Sequence, residues 1–152
     1  MMAEEIRIAV RVVLLDADNR VLLFEGRDLS DATDTRRFWF TAGGGVDDGE
    51  SLGEAAEREI LEETGQKGLV LVGPFHRREV DFLNHGEPLH QVEHYYAART
   101  TEVTLSQGGW TALEGKAMTS WRWWSAGELD SADVEYFPEN LPELVTEAAR
   151  LL

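Results

Sequence analysis

Strict alternation of apolar and polar positions predicts a strand at the start of the chain. One side of the segment 6–15 is aliphatic throughout: Ile6, Ile8, Val10, Val12 and Leu14. The other side begins with Arg7, Ala9 and Arg11, and a period of two is typical of an extended strand. Turn-forming residues at 16–19 and apolar residues at 21–24 then predict a β-hairpin.

Later apolar segments predict further strands on both sides of one central helix. These strands are residues 37–41, 69–82, 90–100 and 121–124. The segments that predict loops are residues 27–36 and 104–119. Residues 139–152 predict a terminal helix. This order favours an α/β fold, a mixed sheet with helices on its faces. The sequence contains neither a repeat nor a linker, so residues 1–152 are predicted to form a single domain.

The central helix, residues 51–64, is predicted by its end signals as well as its periodicity. Ser51 and Glu54 have the spacing of a capping box, in which each side chain bonds a backbone N–H of the first turn. Gly65 is the expected stop, since glycine readily adopts the left-handed conformation that ends helices.

Two acids of this helix point toward its apolar side. At about 100° per residue, Glu59 and Glu63 lie within roughly 20° of the direction of Leu52. A run of acids is ordinarily a solvated helix face, but here packing would favour aliphatic groups. Burying unpaired carboxylates costs several kcal/mol, so a positive charge is expected to meet them.

A hard divalent cation is the predicted partner of these acids. Arg58 is expected to point elsewhere, toward Glu54 and Glu62 at spacings of four. Glu59 and Glu63 are one turn apart and Glu62 is adjacent, so three carboxylates can provide the oxygen ligands that such cations prefer.

The glycines 43–45 are predicted to form a loop directly before the helix. Backbone N–H groups at a helix N-terminus, together with the helix dipole, favour a phosphate. Glycine also allows close approach to a main-chain carbonyl. Acids for a metal and a loop for a phosphate predict metal-assisted attack on a phosphoanhydride.

Charge and composition restrict the partners. The net charge of −15 argues against long nucleic acids, whereas a polyphosphate could bind through metal ions. The absence of cysteine excludes disulfides, thiolate nucleophiles and cysteine-bound zinc. No apolar run approaches the roughly 20 residues of a membrane span, and the acidic start lacks the features of a signal peptide. We therefore expect a cytoplasmic protein with no membrane partner and an oligomeric state left open.

The helix and the glycines before it resemble the Nudix hydrolase signature, G-x5-E-x7-R-E-U-x-E-E-x-G-U, where U is a bulky aliphatic residue. The matching positions are Gly44, Glu50, Arg58, Glu59, Ile60, Glu62, Glu63 and Gly65. The last position departs, with Gln66 in place of an aliphatic residue, and Ala42 stands where many members have proline. Trp124, Glu128 and Leu129 are similar to the W-x-x-x-E-L ending common in the family.

The resemblance implies an α/β/α sandwich around a mixed β-sheet, and Mg²⁺- or Mn²⁺-dependent attack of water at phosphorus. By the same resemblance Glu59, Glu62 and Glu63 are metal ligands and the Gly43 carbonyl is another. Arg58 and its partner Glu50 would orient the helix and the glycine segment. The general base is a glutamate of the signature in some members and one from a later loop in others.

Glu114, in the predicted loop 104–119, is our candidate for the acid that completes the site, and Glu93 in a predicted strand is the alternative. The predicted substrate-binding residues are Gly44, Gly45, Arg37 and Arg27. The aromatic residues are expected in the core, with Trp110 the exception. The four histidines lack metal-ligand spacing.

The leading hypothesis is hydrolysis of a nucleoside diphosphate linked to another group, such as a nucleoside triphosphate, a dinucleotide or a nucleotide conjugate. The alternative is a non-catalytic Nudix domain that senses a nucleotide, although such sensors usually lose acids that are all present here. Isopentenyl-diphosphate isomerase has the same fold but depends on a cysteine, which this chain lacks.

Overall fold

The computed structural model describes residues 6–26, 37–84, 86–105 and 118–152. These residues form seven strands and three helices: β1 (Ile6–Leu15), β2 (Val21–Gly26), β3 (Phe38–Gly45), α1 (Leu52–Thr64), β4 (Val72–Asn84), β5 (Glu87–Arg99), β6 (Met118–Trp124), α2 (Ala126–Ser131), β7 (Tyr136–Phe137) and α3 (Leu141–Leu151). The strands belong to one mixed sheet. None of the helices in these ranges has the length and apolarity needed to cross a membrane.

The strand β3 joins two parts of the sheet by changing its partner along its length. Its first half pairs antiparallel with β2, from Gly26↔Phe38 to Leu23↔Thr41. Its second half, residues 42–45, pairs antiparallel with residues 9–12 of β1. The other edge of β1 pairs in parallel with β5 over its whole length. The glycines of β3 therefore lie beside the part of β1 that carries Arg7 and Arg11.

Helices cover both faces of the sheet, because β1 is apolar on both sides. Val10, Val12 and Leu14 pack in a cluster with Ala56 and Ile60 of α1. On the opposite face, Val13 and Leu15 of β1 pack in a second cluster. This cluster includes Leu129 of α2 and Leu141 and Leu144 of α3. The predicted fold, an α/β/α sandwich with a mixed sheet, is confirmed.

The predicted hairpin and central helix are also confirmed. Strands β1 and β2 are antiparallel, with Leu15 opposite Val21. Ser51 and Glu54 form a complete capping box, and Gly65 ends α1 in the left-handed conformation with φ 77°. The strands predicted at 69–82 and 90–100 correspond to β4 and β5 with shifted ends.

Two expectations about local structure were wrong, and two short elements were not predicted. The glycines 43–45 belong to β3 and pair with β1, so they are neither a loop nor adjacent to the helix, which begins at Leu52. The predicted loop 104–119 ends too late, because β6 begins at Met118. The short elements α2 and β7 were not predicted; β7 contains only two residues, too few for a periodic pattern.

Candidate active site

Glu59 and Glu63 lie between α1 and β3, as their helical direction predicted. Their exposed fractions are only 6% and 1%. The backbone N–H of Gly43 donates to Oε1 of Glu63 over 2.8 Å. A Cβ on Gly44 would lie 2.5 Å from Oε1 of Glu59, so only glycine leaves room for this carboxylate. Gly44 is required because the carboxylate of Glu59 packs directly against the strand at this position.

Burial raises the pKa of both carboxyl groups. For Glu63 the rise is large, and repulsion by Glu59 adds to it, while the Gly43 N–H opposes it. For Glu59, Arg58 opposes the effect of burial. The two carboxyl groups are also hydrogen-bonded to each other. The pair therefore retains a proton more strongly than exposed glutamates do.

Arg58 organises the carboxylates around it. Its Nε and Nη2 donate to both oxygens of Glu50, over 2.8 and 2.9 Å. Its Nη2 also donates to the carbonyl of Gly45 over 2.8 Å. Its Nη1 donates to Glu59 over 2.9 Å and to Glu62 over 3.3 Å. A single guanidinium thus links the helix, the end of β3 and the segment between them.

The expectation that Arg58 points away from Glu59 was wrong. Neighbouring helix residues differ in direction by about 100°, but the long arginine side chain allows its guanidinium to reach the carboxylate of the next residue. Of the two expected partners, Glu62 does contact Arg58, whereas Glu54 bonds instead with Ser51 in the capping box. Glu59 therefore has a positive partner within the protein, and the positive charge that acts on Glu63 is that of Arg11.

The chemistry of this set fits a hard divalent cation. Burial raises the pKa of both Glu59 and Glu63, so their ionised forms lack sufficient positive charge around them, and a cation bound through carboxylate oxygens would supply it. Within the described ranges, no three acidic or histidine side chains are already arranged around a common metal position. Contacts with Arg58 and with the Gly43 N–H hold the carboxylates in their present positions.

A second buried carboxylate, Glu93 on β5, was not predicted to have this environment. It is 3% exposed and accepts hydrogen bonds from four donors: Arg11, Arg78, Gln91 and Tyr95. Although burial opposes it, the two guanidinium groups lower the pKa of Glu93 to about 2. Glu93 is therefore ionised near neutral pH and is a weak proton acceptor.

Arg7 and Arg11 lie on the face of β3 opposite to Glu59. Cβ atoms on Gly45 and Gly43 would lie 2.9 Å from Nη2 of Arg7 and 3.0 Å from Cδ of Arg11. The sequence analysis did not select these arginines as functional. The available signal was two arginines on a strand that is otherwise apolar on both faces.

Arg11 and Arg78 contribute to a cavity of about 400 Å³ on this face. Its polar lining includes Arg11, Arg78, Gln91 and Glu93, and its aromatic lining includes Phe38, Phe40, Tyr95 and Phe137. Arg11 connects the cavity with the acids of α1, since its Nη1 donates to the Thr41 carbonyl over 3.4 Å and its charge lowers the pKa of Glu63.

The predicted site residues divide into three groups. The structure brings together those of the signature: Gly43, Gly44, Gly45, Arg58, Glu59, Glu62 and Glu63. Arg37 is exposed and does not line the cavity. Arg27, Trp110 and Glu114 lie outside the described residues.

A mixed sheet between helices, with glutamates of one helix packed against a glycine strand, defines a Nudix-type fold. The protein-family model for the NUDIX domain matches residues 5–145 of the sequence. The chain therefore belongs to this family, the Nudix hydrolases. The chain is 29% identical over 120 residues to a Bacillus subtilis (strain 168) protein named "Putative 8-oxo-dGTP diphosphatase". That match covers 78% of this chain and 66% of the relative, slightly less than two thirds of its length.

Solved structures share the fold at lower identity. The dihydroneopterin triphosphate pyrophosphohydrolase of E. coli has a TM-score of 0.65 at 18% identity, over 92% of each chain. A NUDIX family hydrolase from Clostridium perfringens has a TM-score of 0.66 at 22% identity, over 96% of this chain and 97% of that one. The fold is therefore shared across proteins whose sequences differ at most positions.

The contact between Gly44 and Glu59 predicts opposite effects for two glycine substitutions. Gly44→Ala should destabilise the protein by about 1–3 kcal/mol, because the added methyl group displaces a buried carboxylate. Gly53→Ala is the matched control in α1, where the Cβ meets open space and alanine favours the helix by about 0.5–1 kcal/mol. Urea unfolding measures both, and equal stability of the two variants would contradict the packing described.

The raised pKa values of Glu59 and Glu63 predict a specific pH dependence of stability. The folded protein binds protons at these two groups more tightly than the unfolded chain does. Their contribution to the free energy of unfolding is therefore present below their pKa in the unfolded chain, about 4.3, and is lost as pH rises through their higher pKa in the folded protein. In metal-free protein at pH 8, Glu63→Gln should therefore raise Tm by about 2–4 °C, the shift for about 1 kcal/mol in a chain of this size.

The control for this measurement is Glu57→Gln on the exposed side of α1. Calorimetric Tm values of both variants and the wild type are compared at pH 5 and pH 8 in EDTA. A Glu63→Gln protein whose difference from the wild type is the same at both pH values would contradict the assignment.

Proposed function

We propose that this protein is a divalent-metal-dependent hydrolase that cleaves a phosphoanhydride in a nucleoside diphosphate linked to another group. The observation that carries the proposal is the buried, mutually repelling pair Glu59 and Glu63, with Glu62 beside it on α1. A fold would not retain such a pair for stability, because replacing buried charges by apolar groups is often neutral or stabilising.

Mg²⁺ or Mn²⁺ is the proposed cofactor, held by Glu59, Glu62, Glu63 and the carbonyl of Gly43. When bound, such an ion stabilises negative charge on phosphoryl oxygens and lowers the pKa of a water molecule. Arg58 is proposed as a positioning residue, because its bonds to Glu50, Glu59 and the Gly45 carbonyl fix the carboxylates relative to β3.

The cavity beside Arg11 is the proposed place for the nucleoside part of the substrate. Its volume of about 400 Å³ and its aromatic lining suit a nucleobase. The name of the Bacillus subtilis relative supports a nucleoside triphosphate as substrate. We propose that the phosphates contact the backbone of Gly44 and Gly45 as part of β3, not of a helix N-terminus, together with Arg37 and Arg27, which precede that strand in the sequence.

The first test is metal-dependent turnover. Purified protein should release phosphate, pyrophosphate or a nucleoside monophosphate from a nucleotide panel with Mg²⁺ or Mn²⁺, but not in EDTA. Glu63→Gln should lower kcat by about a hundredfold or more, because it removes charge that binds the ion and stabilises the transition state. Phosphorus NMR identifies the products and so the bond that is cleaved.

Glu57→Gln is again the control and should turn over like the wild type. Mg²⁺ should raise Tm of the wild type by mass action, and Glu63→Gln should reduce that increase. Full activity in EDTA would exclude a metal-dependent reaction. Tight nucleotide binding without turnover of any substrate would instead establish the sensor.

The second test concerns the general base. The pKa of about 2 and the four donors around Glu93 make it a poor proton acceptor near neutral pH, which favours Glu114. Glu114→Gln should lower kcat with little change in Tm, and the acidic limb of the pH–rate profile should disappear. If kcat falls in Glu93→Gln while Glu114→Gln turns over normally, the base is on β5.

A further inference from the structure

The carboxylate in the cavity has no acceptor capacity left for a ligand. Oε1 of Glu93 accepts from Nη1 of Arg78 over 2.9 Å and from the hydroxyl of Tyr95 over 3.0 Å. Oε2 accepts from Nε of Arg11 over 3.1 Å and from Nε2 of Gln91 over 2.9 Å. Two donors on each oxygen account for the lone pairs of a carboxylate. Glu93 therefore holds its neighbours in place and does not itself accept a hydrogen bond from a ligand.

The amide of Gln91 is oriented in the same way. Its Oε1 accepts from Nη1 of Arg7 over 3.1 Å, while its Nε2 donates to Glu93. Its carbonyl is thus directed toward Arg7 and one amide N–H toward Glu93. Unlike Glu93, Gln91 uses only one of the two lone pairs of its carbonyl oxygen in these contacts.

Donors, in contrast, remain on both guanidinium groups. A guanidinium has five N–H groups. Arg11 uses Nε for Glu93 and Nη1 for a long bond to the Thr41 carbonyl. Arg78 uses Nη1 for Glu93 and Nη2 for a 3.4 Å contact with the exposed Glu139. Among the described residues, these contacts leave several N–H groups of the pair for a ligand that accepts hydrogen bonds.

The walls of the cavity favour a flat aromatic ligand over a bare phosphate. Phe38 lies 5.8 Å from Phe40 and 5.9 Å from Phe137, measured between ring centroids. Cζ of Arg78 lies 5.8 Å from the centroid of Phe137, so this guanidinium is at the edge of the aromatic wall. Aromatic surfaces stack on a base, whereas they give no compensation for the lost hydration of phosphate.

We propose that Arg78 and Arg11, held in place by Glu93, are specificity-determining residues that select a 6-oxopurine nucleotide over a 6-aminopurine one. The proposal rests on the function proposed above. Paired N–H donors match two acceptors on the edge of a 6-oxopurine, its O6 and N7, in the geometry by which arginine reads guanine. The amino group of adenine would instead place a donor against donors and leave both unsatisfied.

The test compares inosine and adenosine nucleotides, whose bases differ only at position 6 and in the proton on the adjacent ring nitrogen. Wild-type protein should show a kcat/KM for ITP above that for ATP by on the order of ten- to a hundredfold. Calorimetry with IMP and AMP in EDTA should show the same order of affinities. The binding measurement requires no turnover, so it separates this inference from hydrolysis.

Arg78→Met should remove most of this preference by weakening the binding of IMP and ITP. Arg77→Met is the matched control, because Arg77 is the neighbouring residue on β4, is 55% exposed and pairs with Glu79 away from the cavity. Glu93→Gln tests the positioning role. This substitution should raise KM for ITP more than it changes kcat. It should also lower kcat/KM for ITP more than kcat/KM for ATP, whereas a general loss of structure would lower both equally.

The outcomes separate the two proposals. Preference for IMP over AMP that depends on Arg78, in a protein that hydrolyses no member of the nucleotide panel with Mg²⁺ or Mn²⁺, would support the inference and contradict the proposed function. Hydrolysis of ITP and ATP with equal kcat/KM and equal monophosphate affinity would overturn the inference alone. If Arg78→Met weakened the binding of IMP and AMP equally, the inference would also be overturned, because that result would place a phosphate and not the base at this arginine. Failure of both monophosphates to bind would do the same.

Discussion

Two carboxyl groups buried side by side are the constraint on which the arrangement around α1 depends. Glu59 and Glu63 can share the space beside β3 only because no Cβ projects from Gly44 and because the N–H of Gly43 is directed at one of them. Arg58 then compensates part of their charge and holds the end of β3 in place. The strand, the helix and the segment that joins them are thus linked by one set of electrostatic contacts, in addition to the apolar packing of α1 on β1.

Sequence alone predicted the features that depend on local periodicity. The alternation in β1, the caps of α1 and the inward direction of Glu59 and Glu63 each follow from residues close together in the chain. Helical geometry fixes side-chain direction within a turn or two, so an acid on an apolar face is visible before any tertiary contact is known. The layer order followed from the sequence of these elements.

Contacts between distant segments could not be predicted in this way. Glu93 and Arg11 are separated by 82 positions, and their contact depends on the parallel register of β1 and β5. The glycines 43–45 have the composition of a loop, and only their pairing with β1 makes them a strand. The contact of Arg58 with Glu59 depends on side-chain length and rotamer, which helical direction does not include.

The three glycines of β3 separate opposite charges by the thickness of one backbone. The carboxylate of Glu59 lies against one face and the guanidinium of Arg7 against the other. Burial lowers the pKa of Arg7, and the charge of Glu59 across the strand opposes that change. A cation that neutralises the acids would remove part of this attraction. The guanidinium groups would then attract an anion more strongly. Thermodynamic linkage makes the effect reciprocal. The glycine segment of β3 therefore permits cooperative binding of two ligands of opposite charge on its two faces.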